Sequence, residues 1–145
     1  MSKIIYSWES FDEDLKIVEN YIRAWGRVPH FVCRYKRTIP FAHKLATLFK
    51  TEMTIVENYD GKCRYVKNNM PELKNSLVIV IEDEIKTGET VSLVNDLLES
   101  DGYTNIIYMT IYDNTRATKI DDIDIRISNL RLSNGEEIIF PWEYS

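Results

Sequence analysis

The sequence predicts an α/β domain: a single-domain, mostly parallel twisted sheet with helices on both faces. Three observations carry that expectation. Residues 77–81, Leu-Val-Ile-Val-Ile, form an uninterrupted and largely β-branched run, as in a central parallel strand buried on both faces. Strand-like runs alternate with stripes of helical period along the chain, the pattern that winds helices onto both faces of a sheet. Finally, the run at 77–81 leads through an acidic pair, Glu82-Asp83, and a Thr-Gly-x-Thr turn, Thr87-Gly88-Glu89-Thr90, into a new helical stripe.

Each element follows in order. Ser10 with Glu13 reads as a capping box, and Phe11, Leu15, Val18, Ile22 and Trp25 share one stripe, predicting a helix over 11–25 that stops at Gly26. Residues 29–34 read as a strand, 40–49 as a helix turning Phe41, Leu45 and Leu48 inward, and 51–56 as a second strand. Residues 57–76 are polar and irregular. A segment of that length is uncommon in a compact domain unless it is functional, mobile or conceals a short hairpin. A strand over 77–82 leads to a helix over 89–100, with Val91, Val94, Leu97 and Leu98 inward and Gly102 as its stop. Residues 105–112 form the next strand, and the short runs 123–127 and 138–140 are expected to close one edge of the sheet. The whole of 1–145 is expected to be one domain, with 57–76 as a mobile loop.

Composition narrows the function. The chain has 145 residues, 44% of them apolar, which is enough for one self-sufficient core. A net charge of -5 and a pI near 5.1 argue against a broad nucleic-acid or membrane surface. No apolar run approaches the roughly 20 residues that span a bilayer, and no signal-peptide core is visible, so a cytoplasmic location is expected. Cys33 and Cys63 have no metal-ligand spacing and are expected to be free thiols, Cys63 in a polar loop.

The chemistry concentrates in two loops at the carboxyl ends of predicted strands, where open α/β sheets bind ligands. After 77–81, Glu82 and Asp83 offer carboxylates for hydroxyls, and Thr87 to Thr90 offer backbone N–H groups and hydroxyls at a helix start that favours an anion. Together these suit a ribose 5-phosphate. The other loop, Arg34-Tyr35-Lys36-Arg37-Thr38-Ile39-Pro40, carries three cations in four positions just ahead of a helix, a plausible cradle for a diphosphate.

An apolar strand, Glu-Asp, a three-residue spacer and Thr-Gly-x-Thr, matched by Val78 to Thr90, resembles the phosphoribosyl pyrophosphate signature of the type I phosphoribosyltransferases. A receiver domain also ends a strand in acids, but its phosphoacceptor strand opens the domain, whereas this one lies mid-chain. The ending Phe140-Pro141-Trp142-Glu143, the start Ser7-Trp8-Glu9 and the stretch Thr110 to Asp122 resemble the short purine enzymes of the xanthine-guanine and hypoxanthine kind. Residues 113–145 are then the expected base-recognition part.

What the resemblance implies is transfer of ribose 5-phosphate from phosphoribosyl pyrophosphate to a purine or purine-like base, with release of pyrophosphate. Glu82, Asp83 and the spacer residue Lys86 would form the catalytic set. Glu82, Asp83, Lys86, Thr87, Gly88, Glu89 and Thr90 would hold the donor's ribose phosphate, and Tyr35, Lys36 and Arg37 its diphosphate. Asn114, Ile139 and Trp142 would line the base pocket, Asp83 would ligate Mg2+, and residues 57–76 would act as a lid. The resemblance also implies a homo-oligomer, dimer or tetramer, with no nucleic-acid or membrane partner.

Several positions depart from the family pattern. The pyrophosphate loop usually carries glycines where this chain has Lys36 and Arg37, although Tyr35-Lys36-Arg37-Thr38-Ile39-Pro40 resembles the Tyr-Lys-Gly-Ile-Pro loop of the orotate branch with one extra residue. Asn114 stands where 6-oxopurine enzymes have a lysine, and an amide can donate or accept. Glu137 stands where an aromatic stacks on the base, and Lys86 where many have an aspartate. Two readings therefore stay open: an active transferase, or a nucleotide-binding or regulatory protein that keeps the ribose-phosphate half of the site.

Overall fold

A computed structural model describes residues 3–36, 38–85, 89–113, 125–126 and 137–141. Along the chain these form β1 (Lys3–Ile5), α1 (Trp8–Ala24), β2 (His30–Arg34), α2 (Ile39–Phe49), β3 (Met53–Tyr59), β4 (Lys62–Lys67), β5 (Val78–Ile85), α3 (Glu89–Ser100), β6 (Ile106–Asp113), β7 (Ile125–Arg126) and β8 (Glu137–Ile139). Six strands make the main sheet in the order β4-β3-β2-β5-β6-β7, and β1 pairs with β8 in a separate two-stranded sheet. All main-sheet pairings are parallel except β3 with β4. The predicted fold class holds.

Strand alternation divides the core between the two faces. Phe31, Cys33, Ile79 and Ile81 face α1 and α2, where Phe11, Leu15, Val18, Ile22, Phe41 and Leu45 cover them. Val32, Val56, Val78 and Val80 face the other way, against Val91, Val94 and Leu98 of α3. Each large apolar side chain buried this way stabilises the fold by about 1.5–3 kcal/mol. The run read as a two-faced central strand therefore serves both cores.

Several expected boundaries differ for local reasons. α1 begins at Trp8 because Ser7, not Ser10, is the cap: Ser10 N donates to Ser7 Oγ at 3.0 Å, placing Ser10 inside the first turn. Leu48 is 41% exposed, and Ala42 and Ala46 instead accompany Phe41 and Leu45 inward. Leu97 is only partly buried. Residues 57–67 are not irregular. Asp60 and Gly61, with φ of 52° and 73°, join β3 to β4 through a two-residue turn whose two positive φ angles match the twist of a hairpin. Cys63 accordingly lies in a strand rather than a loop. β8 does not close the main sheet: it takes β1 as its parallel partner, in register from Lys3 with Glu137 to Ile5 with Ile139. β7 does extend the edge beside β6.

Candidate functional site at the switch point

From β2 the chain proceeds to β3 on one side, and from β5 to β6 on the other. The order therefore reverses between β2 and β5, and the crevice at their carboxyl ends is the expected ligand site of such a sheet. Pairing between the two strands ends at Cys33 with Ile81, while β5 continues beside β6 through Glu82 with Thr110 to Ile85 with Asp113. β5 thus projects past β2, carrying the acidic pair just beyond the last β2 register.

Glu82 and Asp83 are both buried, at 2% and 1% exposure. Alternation along β5 sends Glu82 to the face of Val78 and Val80 under α3, and Asp83 to the face of Ile79 and Ile81. Arg34, the last residue of β2, lies across the reversal from Glu82. Its Nη2 stands 3.5 Å from Glu82 Oε2, and its Nη1 donates to Thr90 Oγ1 at 3.5 Å. Arg34, Glu82 and Thr90 thereby join the ends of β2 and β5 to the first turn of α3.

The loop after β2 is held through its backbone N–H groups. Arg34 N donates to Thr38 Oγ1 at 3.1 Å, Tyr35 N donates to Val56 O at 2.7 Å, and the Tyr35–Lys36 peptide is cis. Tyr35 and Lys36 are exposed, so their side chains stand at the crevice surface. Ile139 is half-buried in β8, beside the fully buried Phe140, whose ring lies 5.3 Å from that of Tyr6. Glu89 and Thr90 open α3, the former exposed. The expected site residues Arg37, Lys86, Thr87, Gly88, Asn114 and Trp142 lie outside the described residues.

Neither thiol offers a nucleophile. Burial, reinforced by the negative Glu82, pushes Cys33 up to about 12. Cys63 rises to about 11 by burial and Glu82, with Arg34 pulling the other way. Both stay protonated near neutral pH, and both are free. Among the described residues, no group of three or more His, Cys, Asp or Glu side chains could hold a metal ion unaided. No described helix is long and apolar enough to cross a membrane.

Part of 57–76, the segment expected to be a lid, is braced against α3: Cys63, Tyr65 and Met70 pack on its apolar cluster, and Tyr65 Oη donates to Asp101 Oδ2. Arg34 is the residue that sequence reading undervalued, as one cation of a basic loop. Spacing alone could not reveal its pairing with Glu82, because the two meet only once β2 and β5 lie side by side.

Comparisons with known proteins bear on the fold. No curated protein matches the sequence. A purine phosphoribosyltransferase from Pyrococcus horikoshii Ot3 superposes with a TM-score of 0.74 at 18% identity, covering 98% of this chain and 95% of that one. A hypothetical protein from Neisseria gonorrhoeae with bound ppGpp gives 0.75 at 16% identity, over 98% and 89% of the two chains. The Helicobacter pylori xanthine-guanine-hypoxanthine phosphoribosyltransferase gives 0.71 at 16%, over 98% and 93%. These likenesses establish the shared fold. The family model described as phosphoribosyl transferase domain matches residues 11–145, and to that family this chain belongs.

Proposed function

We propose that the protein transfers the ribose 5-phosphate of phosphoribosyl pyrophosphate to a purine or purine-like base and releases pyrophosphate. The observation that carries this reading is the placement of Glu82 and Asp83 at the switch point, directly ahead of the segment that opens α3 with Thr90. In this reading Glu82 and Asp83 take the ribose hydroxyls, residues 87–90 take the 5-phosphate at the helix start, and Lys36 with Arg37 faces the diphosphate. Asn114, Ile139 and Trp142 bound the base.

The reaction asks for alignment and charge stabilisation rather than covalent catalysis by the protein. Holding the base nitrogen in line with ribose C1 removes the entropic part of the barrier. Cationic side chains near the diphosphate stabilise the charge that develops as it departs. Mg2+ suits the donor set here, since it is commonly held through one or two carboxylates together with substrate phosphates, and Asp83 with the diphosphate and ribose supplies such hard oxygens. The ion would neutralise the leaving diphosphate when bound. In this reading Lys86, in the spacer, would add positive charge for the phosphoribosyl group. We further propose a cytoplasmic homo-oligomer.

A test incubates the protein with phosphoribosyl pyrophosphate, Mg2+ and a panel of purine and purine-like bases and measures pyrophosphate. Release that needs a base and disappears in Asp83→Asn supports transfer. No release with any base, together with no ligand-induced rise in thermal midpoint, sinks the assignment. Two observations favour a second reading, a nucleotide-binding regulatory protein: the side chains of Lys36 and Arg37 in place of loop glycines, and the Neisseria neighbour with bound ppGpp. Thermal stabilisation by nucleotides without turnover would select it.

A further inference from the structure

We propose that Arg34 is a ligand-binding and specificity-determining residue of this site, whose guanidinium takes the anionic phosphoribosyl group common to the donor and the product nucleotide. The inference rests on the function proposed above. Its starting point is a cation that the described residues hold in place with long contacts only. Both partners of the Arg34 side chain among the described residues, Glu82 Oε2 and Thr90 Oγ1, lie at 3.5 Å, whereas a charge-assisted hydrogen bond closes to about 2.7–2.9 Å. Its Nε is buried and meets no hydrogen-bond acceptor among the described residues.

A guanidinium is always charged and presents a planar fork of N–H donors, so a largely buried one with distant partners gains strongly when a good acceptor arrives. The side chain is 22% exposed, open enough for a ligand to reach and closed enough for solvent to satisfy it poorly. Its backbone is fixed by Thr38, whose Oγ1 accepts from Arg34 N at 3.1 Å. The fork therefore starts from a set point and lies between Glu82 and the first turn of α3.

Location decides which part of the ligand it meets. Tyr35 and Lys36, the next residues, are exposed at the outer end of the loop and suit the departing diphosphate. Arg34 instead touches Thr90, at the end of the segment proposed for the 5-phosphate. A planar fork matches phosphoryl oxygens in two-point fashion, which a lysine point charge does not. When ribose hydroxyls engage Glu82, Arg34 exchanges its long contact there for phosphoryl oxygen.

Ribose 5-phosphate and inorganic pyrophosphate, titrated separately into the full chain with Mg2+ by calorimetry, separate the two halves of the ligand. Arg34→Gln should weaken ribose 5-phosphate binding roughly 10- to 100-fold, the range of a hydrogen bond to a charged group. Arg34→Lys should recover only part of that, and pyrophosphate binding should change far less. Circular dichroism and thermal midpoints report folding; if Arg34→Gln does not fold, Arg34→Lys, which keeps the charge and loses the fork, carries the test. Unchanged ribose 5-phosphate affinity in the folded variant overturns the proposal, as does an equal loss for both probes. Wild-type protein that binds neither probe overturns the functional reading itself, a result distinct from wild-type binding that the variants preserve.

Discussion

The strand β2 has two charged-capable ends built in different ways. At its start, His30 Nε2 lies 2.8 Å from Thr54 Oγ1, and His30 N donates to Leu77 O, also at 2.8 Å. At its finish, Arg34 reaches Glu82 and Thr90 only at 3.5 Å, with Nε unpartnered among the described residues. Burial holds His30 down to about 4, so the starting end is neutral and closely paired near pH 7. The finishing end is charged and loosely paired. Tight, neutral pairing yields stability, while loosely paired buried charge leaves interaction energy available to a ligand.

The largest effect should come from the body of the sheet that both ends share. Ile79→Ala empties a fully buried position of β5 and should cost about 2–5 kcal/mol in chemical denaturation. Ribose 5-phosphate affinity of the folded variant should stay near wild type; a parallel loss of affinity would break the separation between core and site. Next, Asp83→Asn should lower base-dependent pyrophosphate release by roughly 100-fold, the scale of a misplaced reacting group, while shifting the thermal midpoint less than Ile79→Ala does. A variant that unfolds more readily than Ile79→Ala would assign Asp83 to the core instead.

At the other end, Thr54→Val removes the hydroxyl shared by His30 Nε2 and Asn69 N, the latter at 3.2 Å. It should cost about 1–3 kcal/mol and leave ligand binding intact. The smallest effect is one of pH. Because the folded His30 titrates near 4 and an unfolded histidine near its ordinary 6.5, the unfolded chain binds the extra proton between those values. Stability attributable to His30 is therefore full above about pH 6.5 and declines as pH falls toward 4. Replacing His30 with Gln should flatten that part of an unfolding-midpoint profile between pH 6.5 and 5; a profile identical to wild type would contradict the buried, neutral assignment.

Much of the fold was legible because its signals are local and strong. The uninterrupted apolar run at 77–81 sits at the centre of the sheet, and the stripe Val91, Val94, Leu98 lies under it as α3. The hairpin was legible in principle, since Asp60-Gly61 is a strong short-range turn signal, but the polar exposed faces of β4 hid the alternation around it. β1 and β8, each three residues long, have too few side chains to show any period, and their pairing depends on segments more than 130 positions apart. Ser7 and Ser10 both suited a cap, and only the hydrogen bond between them decides which one is.

Of the site, the acidic pair and the basic loop could be located from the sequence, because strand ends and motif spacing are sequence properties. The roles within the loop could not. Arg34, Lys36 and Arg37 are equivalent as charges, and what separates Arg34 is lateral: it ends a strand whose neighbour across the reversal carries Glu82. Adjacency of that kind arises from topology and leaves no trace in spacing.

The pairing of β1 with β8 also sets an order of events during synthesis. Lys3–Ile5 leaves the ribosome early, yet its hydrogen-bonding partner, Glu137–Ile139, is made only after the intervening sheet. At ordinary elongation rates that wait is on the order of 10 s, long enough for β2, β3 and β5 to dock while the first strand is still unpaired. The amino-terminal strand would thus be among the last to settle, acting as a clasp that fastens once Phe140 reaches its place against Tyr6.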